Sequence, residues 1–259
     1  MIRGVLGSRA SIGGVLGSGR GGAAAGLPVA NPVLWLDASQ ITGLGDGSAI
    51  TTWNDASASG YNVTQAGAST LKPTYKTGII NGKPAVRFDG GDYLTNASAT
   101  MPLKIFTAFV VFQESTARNY AGVLVFTPPT GNDYNSAAGM QVCGAGDASN
   151  HFEASGSVNY QMLVAGTGVN PPTVWTHKKA AGRGDVYKNG TAAANDTSFT
   201  EFNDTATGVL VGARYVSNAI TTTYGLIGDI AEIILYNSAL SDGDRQAVEA
   251  YLAAKYAIT

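Results

Sequence analysis

Short apolar runs separated by polar, turn-forming segments follow one another along the chain from residue 28 onward. Most runs are rich in β-branched and aromatic residues and are too short for a typical helix, which favours strands. The pattern predicts strands at residues 32–36, 50–53, 85–88, 105–113, 122–126, 140–143, 160–165, 174–178, 185–188, 209–212 and 225–236. A chain with this many short strands is predicted to have an all-β fold.

Turn-forming residues between the runs predict where the chain reverses. Asn189-Gly190, between VYK and TAA, is a strong two-residue hairpin signal because both positions tolerate a positive φ. Asn81-Gly82 and the segment Asp89-Gly90-Gly91-Asp92 mark further turns. The sequence therefore predicts tight turns at these three places.

One segment near the end of the chain has the spacing of a helix. Ser241 followed by Asp244 is a variant of the capping box, with acidic residues near the positive end of the helix. An apolar stripe with a basic end follows at three- and four-residue spacing: Val248, Tyr251, Leu252 and Lys255. Many strands and one terminal helix predict an all-β jelly-roll sandwich with the helix lying against it.

The first 27 residues differ from the rest of the chain. The pentapeptide GVLGS occurs at residues 4–8 and again at 14–18, and glycine and serine interrupt every apolar run. A segment of this composition forms a flexible coil rather than a core of its own. We therefore divide the chain into an extended arm, residues 1–27, and a jelly-roll domain, residues 28–259.

The composition of the arm indicates an anchor that docks on another molecule. Repeated Val-Leu pairs can fill equivalent pockets, glycines permit backbone paths closed to other residues, and arginines can pair with acidic groups. Docking costs conformational entropy, so it must bury several apolar side chains. The residues expected to contact the partner are Arg3, Val5, Leu6, Arg9, Val15, Leu16 and Arg20.

A secretion signal is the alternative interpretation of the arm. Arg3 stands near its start, and three alanines at residues 23–25 stand where cleavage could fall. A signal peptide needs a continuous apolar stretch, however, and glycine, serine and arginine interrupt this one. No other stretch approaches the roughly 18 apolar residues of a membrane helix. The sequence therefore predicts neither secretion through this segment nor a membrane partner.

Charge is distributed unevenly along the chain. The arm holds three arginines and no acid, so the remainder carries a net charge of −5 against −2 for the whole chain. Phosphate binding needs clustered lysine and arginine. An acidic body therefore argues against nucleic acid as the main partner.

Three segments carry a resemblance to a known family: VLWLDASQITGLGDGSAITTWNDASASGYN, KPTYKTGIINGKPAVRFDGGDYL and GDIAEIILYNSALSDGDRQAVEAYLAAKY. Together they resemble bacterial and phage laminin-G-like, concanavalin A-like domains over residues 32–256. The resemblance implies two antiparallel sheets, with the VYKNGT hairpin on one and residues 228–236 as a central strand. This sandwich hosts lectins, glycosidases, adhesion modules and virion proteins, so it specifies the fold rather than the function.

Glycosidases of this fold carry two carboxylates on one strand, both facing the cleft. Asp229 and Glu232 are three residues apart, which on a regular strand places them on opposite faces. Carboxylates on opposite faces cannot act on the same glycosidic bond. His151 and His177 stand near no Ser or Cys motif, and Gly-x-Ser-x-Gly is absent. The single cysteine, Cys143, excludes a disulfide within the chain. Since neither a carboxylate pair nor a nucleophile motif is recognised, we expect no enzymatic activity.

Calcium is the cofactor that the resemblance implies, because laminin-G-like domains often bind it at the rim of the sandwich. Calcium takes about six to eight oxygen ligands, which loops rich in Asp and Asn can supply. The candidate ligands are Asp89 and Asp92 in one turn, and Asn132, Asp133 and Asn135 in the segment TGNDYN. Turn formation by the same residues is the simpler interpretation.

Glycan recognition requires exposed aromatic faces beside polar groups. Five tyrosines lie in or beside polar loop segments and are the candidate stacking residues: Tyr120, Tyr134, Tyr160, Tyr215 and Tyr224. Each could instead cover the core.

Laminin-G-like domains joined to glycine-rich arms occur among phage virion proteins. The resemblance therefore implies a non-enzymatic virion protein, a capsid decoration or a tail- or fibre-associated protein, anchored by residues 1–27 and displaying a lectin-like domain. Other virion proteins and, through symmetric positions, further copies of the chain are the expected partners. A host surface glycan is an additional partner. The alternative is a carbohydrate-binding lectin or adhesin module of a bacterial surface or secreted protein.

Overall fold

The computed structural model describes residues 1, 26–126, 131–133, 140–145, 151–155, 160–164, 169–197 and 205–259. Two 3-10 turns (Ala38–Gln40 and Ser69–Leu71) and one helix, α1 (Asp242–Tyr256), accompany the strands. In chain order the strands are β1 (Leu34–Asp37), β2 (Thr52–Trp53), β3 (Val63–Thr64), β4 (Thr74–Ile80), β5 (Lys83–Asp89), β6 (Leu94–Asn96), β7 (Met101–Pro102), β8 (Phe106–Thr116), β9 (Ala121–Phe126), β10 (Met140–Ala145), β11 (His151–Ser155), β12 (Tyr160–Val164), β13 (Thr173–Ala180), β14 (Arg183–Lys188), β15 (Thr191–Asp196), β16 (Thr205–Ala206), β17 (Val209–Val211), β18 (Arg214–Val216), β19 (Ala219–Thr221) and β20 (Ile227–Tyr236).

The strands form two antiparallel sheets that pack face to face. The first has the order β15-β14-β13-β8-β20-β5-β4, and β1 pairs with the second half of β20. The second has the order β12-β11-β10-β9-β17-β6-β3-β2. Two small ribbons, β16 with β7 and β18 with β19, complete the described part. The predicted sandwich is confirmed, and the predicted strand at 228–236 is central, between β8 and β5.

The hydrophobic core lies between the two sheets. Alternate residues of each strand face inward, so Phe112 of β8 and Phe126 of β9 enter the same buried cluster, together with Trp53 and Phe88. Because whole strands contribute to this layer, the apolar runs visible in the sequence account for most of it. A strand is present at each of the eleven predicted places, with shifted boundaries.

Two-residue turns connect neighbouring strands where the sequence predicts them. Asn81 and Gly82 have φ values of 48° and 84°, and Asn189 and Gly190 have 49° and 77°. Positive φ at both positions is the type I′ geometry that matches the twist of a hairpin. These two turns join β4 to β5 and β14 to β15, which confirms the prediction.

The helix α1 covers the outer face of the first sheet. The Ser241 hydroxyl accepts a hydrogen bond from the Asp244 N–H at 3.1 Å, which is the predicted cap. Val248 and Leu252 of the predicted stripe are buried against Phe109 and Ile234. Leu27, the last residue of the predicted arm, is buried in the same cluster. No helix in the described ranges is long and apolar enough to cross a bilayer.

Candidate functional site

The carboxylates of Asp229 and Glu232 lie on the same face of β20, so the predicted opposite orientation is wrong. In the register of β20 and β8, Ile230 pairs with Phe112 and Glu232 pairs with Val111. Ala231 is therefore an extra residue in β20. This β-bulge turns two successive side chains to one face. Ile230 and Ile233 still point into the core, whereas Asp229 and Glu232 point to the outer face.

Both carboxylates are nevertheless fully buried and already paired. Asp229 accepts hydrogen bonds from Arg87 Nε at 2.7 Å and Nη2 at 3.1 Å, and from Gln113 at 2.9 Å. The exposed fractions of Asp229 and Glu232 are 0%. A glycan therefore has no access to either oxygen pair.

Glu232 belongs to a buried network that fixes α1 to the sheet. The Lys255 ammonium lies 2.7 Å from Asp37 and 2.7 Å from Glu232. Glu232 also accepts hydrogen bonds from the Trp35 indole at 2.7 Å and the Tyr256 hydroxyl at 2.9 Å. Burial, with the nearby charge of Asp37, raises the pKa of Glu232. Burial alone would raise the pKa of Asp37. Hydrogen bonds from Lys255, Ser39 and Gln40 outweigh it and hold the pKa of Asp37 below its usual value.

A different surface is formed where three loop segments meet at one end of the sandwich. They are the turn at 89–92, the connection at 117–120 between β8 and β9, and the loop at 222–226 before β20. Thr116, Asp89 and Ile227 are register partners at this end of the first sheet. We call the three segments together the tyrosine rim.

Glycines allow the three segments of the rim to touch. A Cβ on Gly225 would lie 2.3 Å from the Gly90 carbonyl oxygen, and one on Gly122 would lie 2.1 Å from the Ala213 carbonyl oxygen. The Gly122 N–H donates to the Tyr224 carbonyl at 3.0 Å. The rim is therefore held by backbone contacts that larger residues would prevent.

Two of the predicted stacking residues are exposed on the rim. Tyr120 is 42% exposed and Tyr224 is 38% exposed. Tyr120 has a φ of 58°, a left-handed conformation that a bulky residue rarely adopts. The exposed polar residues Asp89, Asn119 and Thr223 lie in the same segments. The structure thus brings together aromatic and polar groups that are distant in sequence.

Arg118 lies between the three segments and was not among the predicted site residues. Its Nη1 donates to the carbonyl oxygens of Gly90, Thr222 and Gly225 at 3.3, 3.4 and 3.5 Å. No oxygen of an acidic residue in the described ranges lies within 4.0 Å of this guanidinium, so its hydrogen bonds to described residues are those to the three carbonyls. Nothing in its local sequence distinguishes it from a surface arginine.

The other predicted tyrosines are not on the rim. Tyr215, in β18, is half-buried and packs with Ile220 over Val125 and Leu210 on the outer face of the second sheet. Tyr134 lies outside the described residues. Tyr160 lies in β12, whose side chains are not described.

The predicted calcium ligands Asn132 and Asp133 hold the β18–β19 hairpin. Asp133 accepts hydrogen bonds from Arg214 Nε and Nη2, each at 2.7 Å, and both side chains are buried. Asn132 accepts a hydrogen bond from the Ser217 N–H at 2.7 Å. A guanidinium occupies the position that a cation would need, so this pair does not fit calcium. Asn135 lies outside the described residues.

The other predicted calcium ligands form the turn at 89–92. One oxygen of Asp89 accepts a hydrogen bond from the Gly91 N–H at 2.8 Å, and one oxygen of Asp92 accepts from the Asp89 N–H at 3.0 Å. Within the described ranges no group of three or more His, Cys, Asp or Glu side chains is close enough to hold a metal. The rim carbonyls that could complete a ligand set point at Arg118 instead. Two carboxylates alone do not fit a calcium site, and calcium here stays a prediction.

Asp92→Asn is expected to raise Tm near pH 7 and to leave it unchanged near pH 4. Burial and the adjacent charge of Asp89 raise the pKa of Asp92 to about 6, against roughly 4 in an unfolded chain. The stability contributed by protonated Asp92 is complete below about pH 4 and is lost as pH rises through about 6. Asparagine keeps the acceptor for the Asp89 N–H without the charge. Thermal unfolding across this range is the measurement.

Added Ca²⁺ should leave Tm unchanged in both proteins. A rise in the wild type that Asp92→Asn abolishes would show instead that the turn binds calcium and would contradict the expectation.

A shallow groove of about 460 Å³ lies beside β2. Exposed polar residues line it, among them Gln40, Thr42, Thr51 and Asn54. Its aromatic residue, Trp53, is buried in the core. The groove therefore presents no aromatic face for stacking, in contrast to the tyrosine rim.

The anchoring residues predicted in the arm, from Arg3 to Arg20, lie outside the described residues. Docking on other virion proteins, self-association and a location in a virion stay predictions.

Of the two histidines, His177 is buried on the face of β13 that points into the core, and the side chain of His151 is not described.

No family model matches the chain, and no curated protein matches it in sequence. Solved structures are similar in fold. Trypanosoma rangeli sialidase in complex with sialic acid gives a TM-score of 0.50 at 13% identity, over 88% of this chain and 34% of that chain. The HCR/D F1240A mutant gives 0.51 at 12% identity, over 85% and 51%. The CBM40 of Ruminococcus gnavus IT-sialidase, bound to α2,3-sialyllactose, gives 0.46 at 13% identity, over 64% and 94%.

The chain spans about a quarter of NanB, a third of the Trypanosoma rangeli sialidase and half of HCR/D. At these identities the likeness concerns the fold and not the site. The chain has an all-β, two-sheet antiparallel jelly-roll (concanavalin A-like) fold with one C-terminal helix.

Proposed function

We propose that this chain is a non-catalytic carbohydrate-binding domain that holds a glycan against the tyrosine rim. The observation that carries the proposal is the exposure of Tyr120 and Tyr224 on a surface fixed by close backbone contacts. A tyrosine ring offers a rigid apolar face with a polar tip, which suits the C–H face of a sugar and its hydroxyls.

The polar residues of the rim support the same function. Asn119 and Thr223 are exposed beside the two tyrosines, and each offers both a donor and an acceptor for sugar hydroxyls. Asp89 adds an exposed carboxylate that accepts only. Aromatic faces next to a few convergent polar groups are the composition of a small-molecule site.

The backbone at Tyr120 also supports binding at the rim. A bulky residue with φ of 58° costs about 1 kcal/mol or more in conformational strain, and strain of this kind clusters at ligand sites. Retention of a tyrosine where glycine or asparagine would be comfortable is explained if the ring is needed for a ligand.

The burial of Asp229 and Glu232 favours binding without hydrolysis. Both carboxylates lie on the outer face of the first sheet, and both are paired with basic residues. A virion protein that displays this domain, or a bacterial lectin, would use the rim in the same way.

Tyr120→Asn and Tyr224→Ser are each expected to weaken glycan binding about tenfold or more, because aromatic anchors carry a large share of binding energy. Asparagine tolerates the left-handed conformation, so Tyr120→Asn should fold with an unchanged or higher Tm. Binding of the full chain to a polysaccharide panel, by affinity electrophoresis and calorimetry, is the measurement. The matched control is Ile105→Asn, which replaces another exposed apolar residue at the start of β8, at the opposite end of the sandwich.

If the wild type binds no polysaccharide, or if Ile105→Asn weakens binding as much as the tyrosine variants, the proposed function is wrong.

A further inference from the structure

We infer that Arg118 recognises a carboxylate on the bound sugar, so that the ligand of the tyrosine rim is an acidic glycan. The inference rests on the proposed function, since it names the class of glycan held there.

The other four arginines in the described ranges are each paired with a carboxylate. Two of them use the same edge of the guanidinium: Arg87 holds Asp229, and Arg214 holds Asp133, each through Nε and Nη2. This edge presents two parallel N–H groups that match the two oxygens of a carboxylate.

Arg214 is the closest parallel to Arg118. Its Nη1 donates to the Tyr120 carbonyl at 3.0 Å while Nε and Nη2 hold Asp133. In Arg118 the Nη1 is likewise held by backbone carbonyls, but Nε and Nη2 donate no hydrogen bond to any of the described residues. Neither nitrogen is fully buried, so each keeps contact with solvent.

Arg118 is half-buried, and its Nε–Nη2 edge faces solvent without a carboxylate partner among the described residues. The nearest exposed acid in the rim is Asp89, in the turn whose Gly90 carbonyl holds Arg118. Its carboxylate is engaged by the Gly91 N–H and stays beyond 4.0 Å from the guanidinium. Three carbonyl contacts therefore hold the open edge of Arg118 ready for an external carboxylate.

The neighbours of Arg118 indicate that the carboxylate belongs to a sugar. Tyr120 is two residues away, and Tyr224 lies between two of the residues whose carbonyls hold Nη1. A sugar ring stacked on either tyrosine could place a carboxyl substituent at the Nε–Nη2 edge. Because the proposed function stacks a sugar on these two rings, we assign the carboxylate to a sugar rather than to a peptide.

The test compares polygalacturonate with its fully methyl-esterified form, which keeps the sugar and removes the charge. The wild-type chain is expected to bind the acid at least tenfold more tightly than the ester, since hydrogen bonds to a charged group are the stronger class. Arg118→Gln should bring the two affinities together by weakening only the binding of the acid. Arg118→Lys keeps a cation for the three carbonyls but lacks the fork, and should lose most of the preference.

Lys83→Gln, at the far end of β5, is the control for a general loss of positive charge and should leave the preference unchanged. Equal wild-type binding of acid and ester overturns this inference and leaves the proposed function standing. No binding of either also overturns the inference, whereas the proposed function is decided by the polysaccharide panel. Equally tight binding of polyglutamate, or an acid preference that survives in Arg118→Gln and Arg118→Lys, also overturns it. Tm of each variant shows whether it is folded.

Discussion

Replacing Lys255 with methionine is expected to destabilise the protein by about 3–5 kcal/mol at neutral pH. The substitution keeps most of the side-chain volume and removes the ammonium that lies 2.7 Å from both Asp37 and Glu232. Two buried carboxylates would then face each other without a cation. Urea unfolding of the wild type and the variant is the measurement.

The pH dependence identifies the cause of this loss. In the wild type, hydrogen bonds from Lys255 and its neighbours outweigh burial and keep the pKa of Asp37 below its usual value, so its contribution is present above about pH 4 and is lost as pH falls. Burial instead raises the pKa of Glu232, which acts in the opposite direction. Without the ammonium, both pKa values rise, and the folded variant takes up protons before the unfolded chain does. The stability gap between the two proteins should therefore narrow as pH is lowered from about 7 to about 5.

Lys83→Met is the control, because Lys83 is exposed and its replacement should change stability by no more than about 0.5 kcal/mol. A loss of about 1 kcal/mol or less in Lys255→Met would mean that the network behaves like an exposed ion pair, contrary to its burial.

Asp133→Asn is the second change with a large expected effect, also about 3–5 kcal/mol. It leaves the buried Arg214 guanidinium without its carboxylate and weakens the acceptor for the Tyr215 N–H. Because Arg214 also donates to the Tyr120 carbonyl, the effect should extend to the tyrosine rim and lower glycan affinity. Thermal unfolding and polysaccharide binding measure the two consequences.

The double variant Asp133→Asn with Arg214→Met should recover part of the lost stability, since it removes the unpaired charge. Asp242→Asn is the matched control, because its carboxylate is exposed and pairs weakly with Lys178 at 3.3 Å. A destabilisation of Asp133→Asn that chelator reproduces in the wild type would point to calcium rather than to the ion pair.

The orientation of Glu232 differs from the one that a regular strand pattern predicts. An alternation of two predicts that Asp229 and Glu232 are opposed, but Ile230, Ile233 and Leu235 all enter the core. This spacing breaks the period of two, as the bulge at Ala231 requires. Ile234 is equally apolar but lies on the outer face, so the strand was predictable from the sequence whereas the orientation of its acids was not.

Some strands were missed because their residues do not form an apolar run. β4 contains Lys76, Thr77 and Gly78, and it is a strand because it pairs with β5 through the Asn81-Gly82 turn. The ribbon β18–β19 turns at Ser217 and Asn218, with φ of 53° and 66°, and is held by side chains of residues 132 and 133. These segments form strands because they pair with neighbouring segments, although their local composition does not favour a strand.

The strands of the core, the hairpin turns at Asn81 and Asn189, and the capped helix from Ser241 were all predictable from local sequence. Each of these depends on residues a few positions apart, whose steric and hydrogen-bonding preferences act locally. Only the tertiary structure decided that Lys255 bridges Asp37 and Glu232, and that Arg118 meets carbonyls 28 to 107 residues away. Such sites arise where distant segments pack together, and a pattern of residues a few positions apart does not specify which distant segments meet.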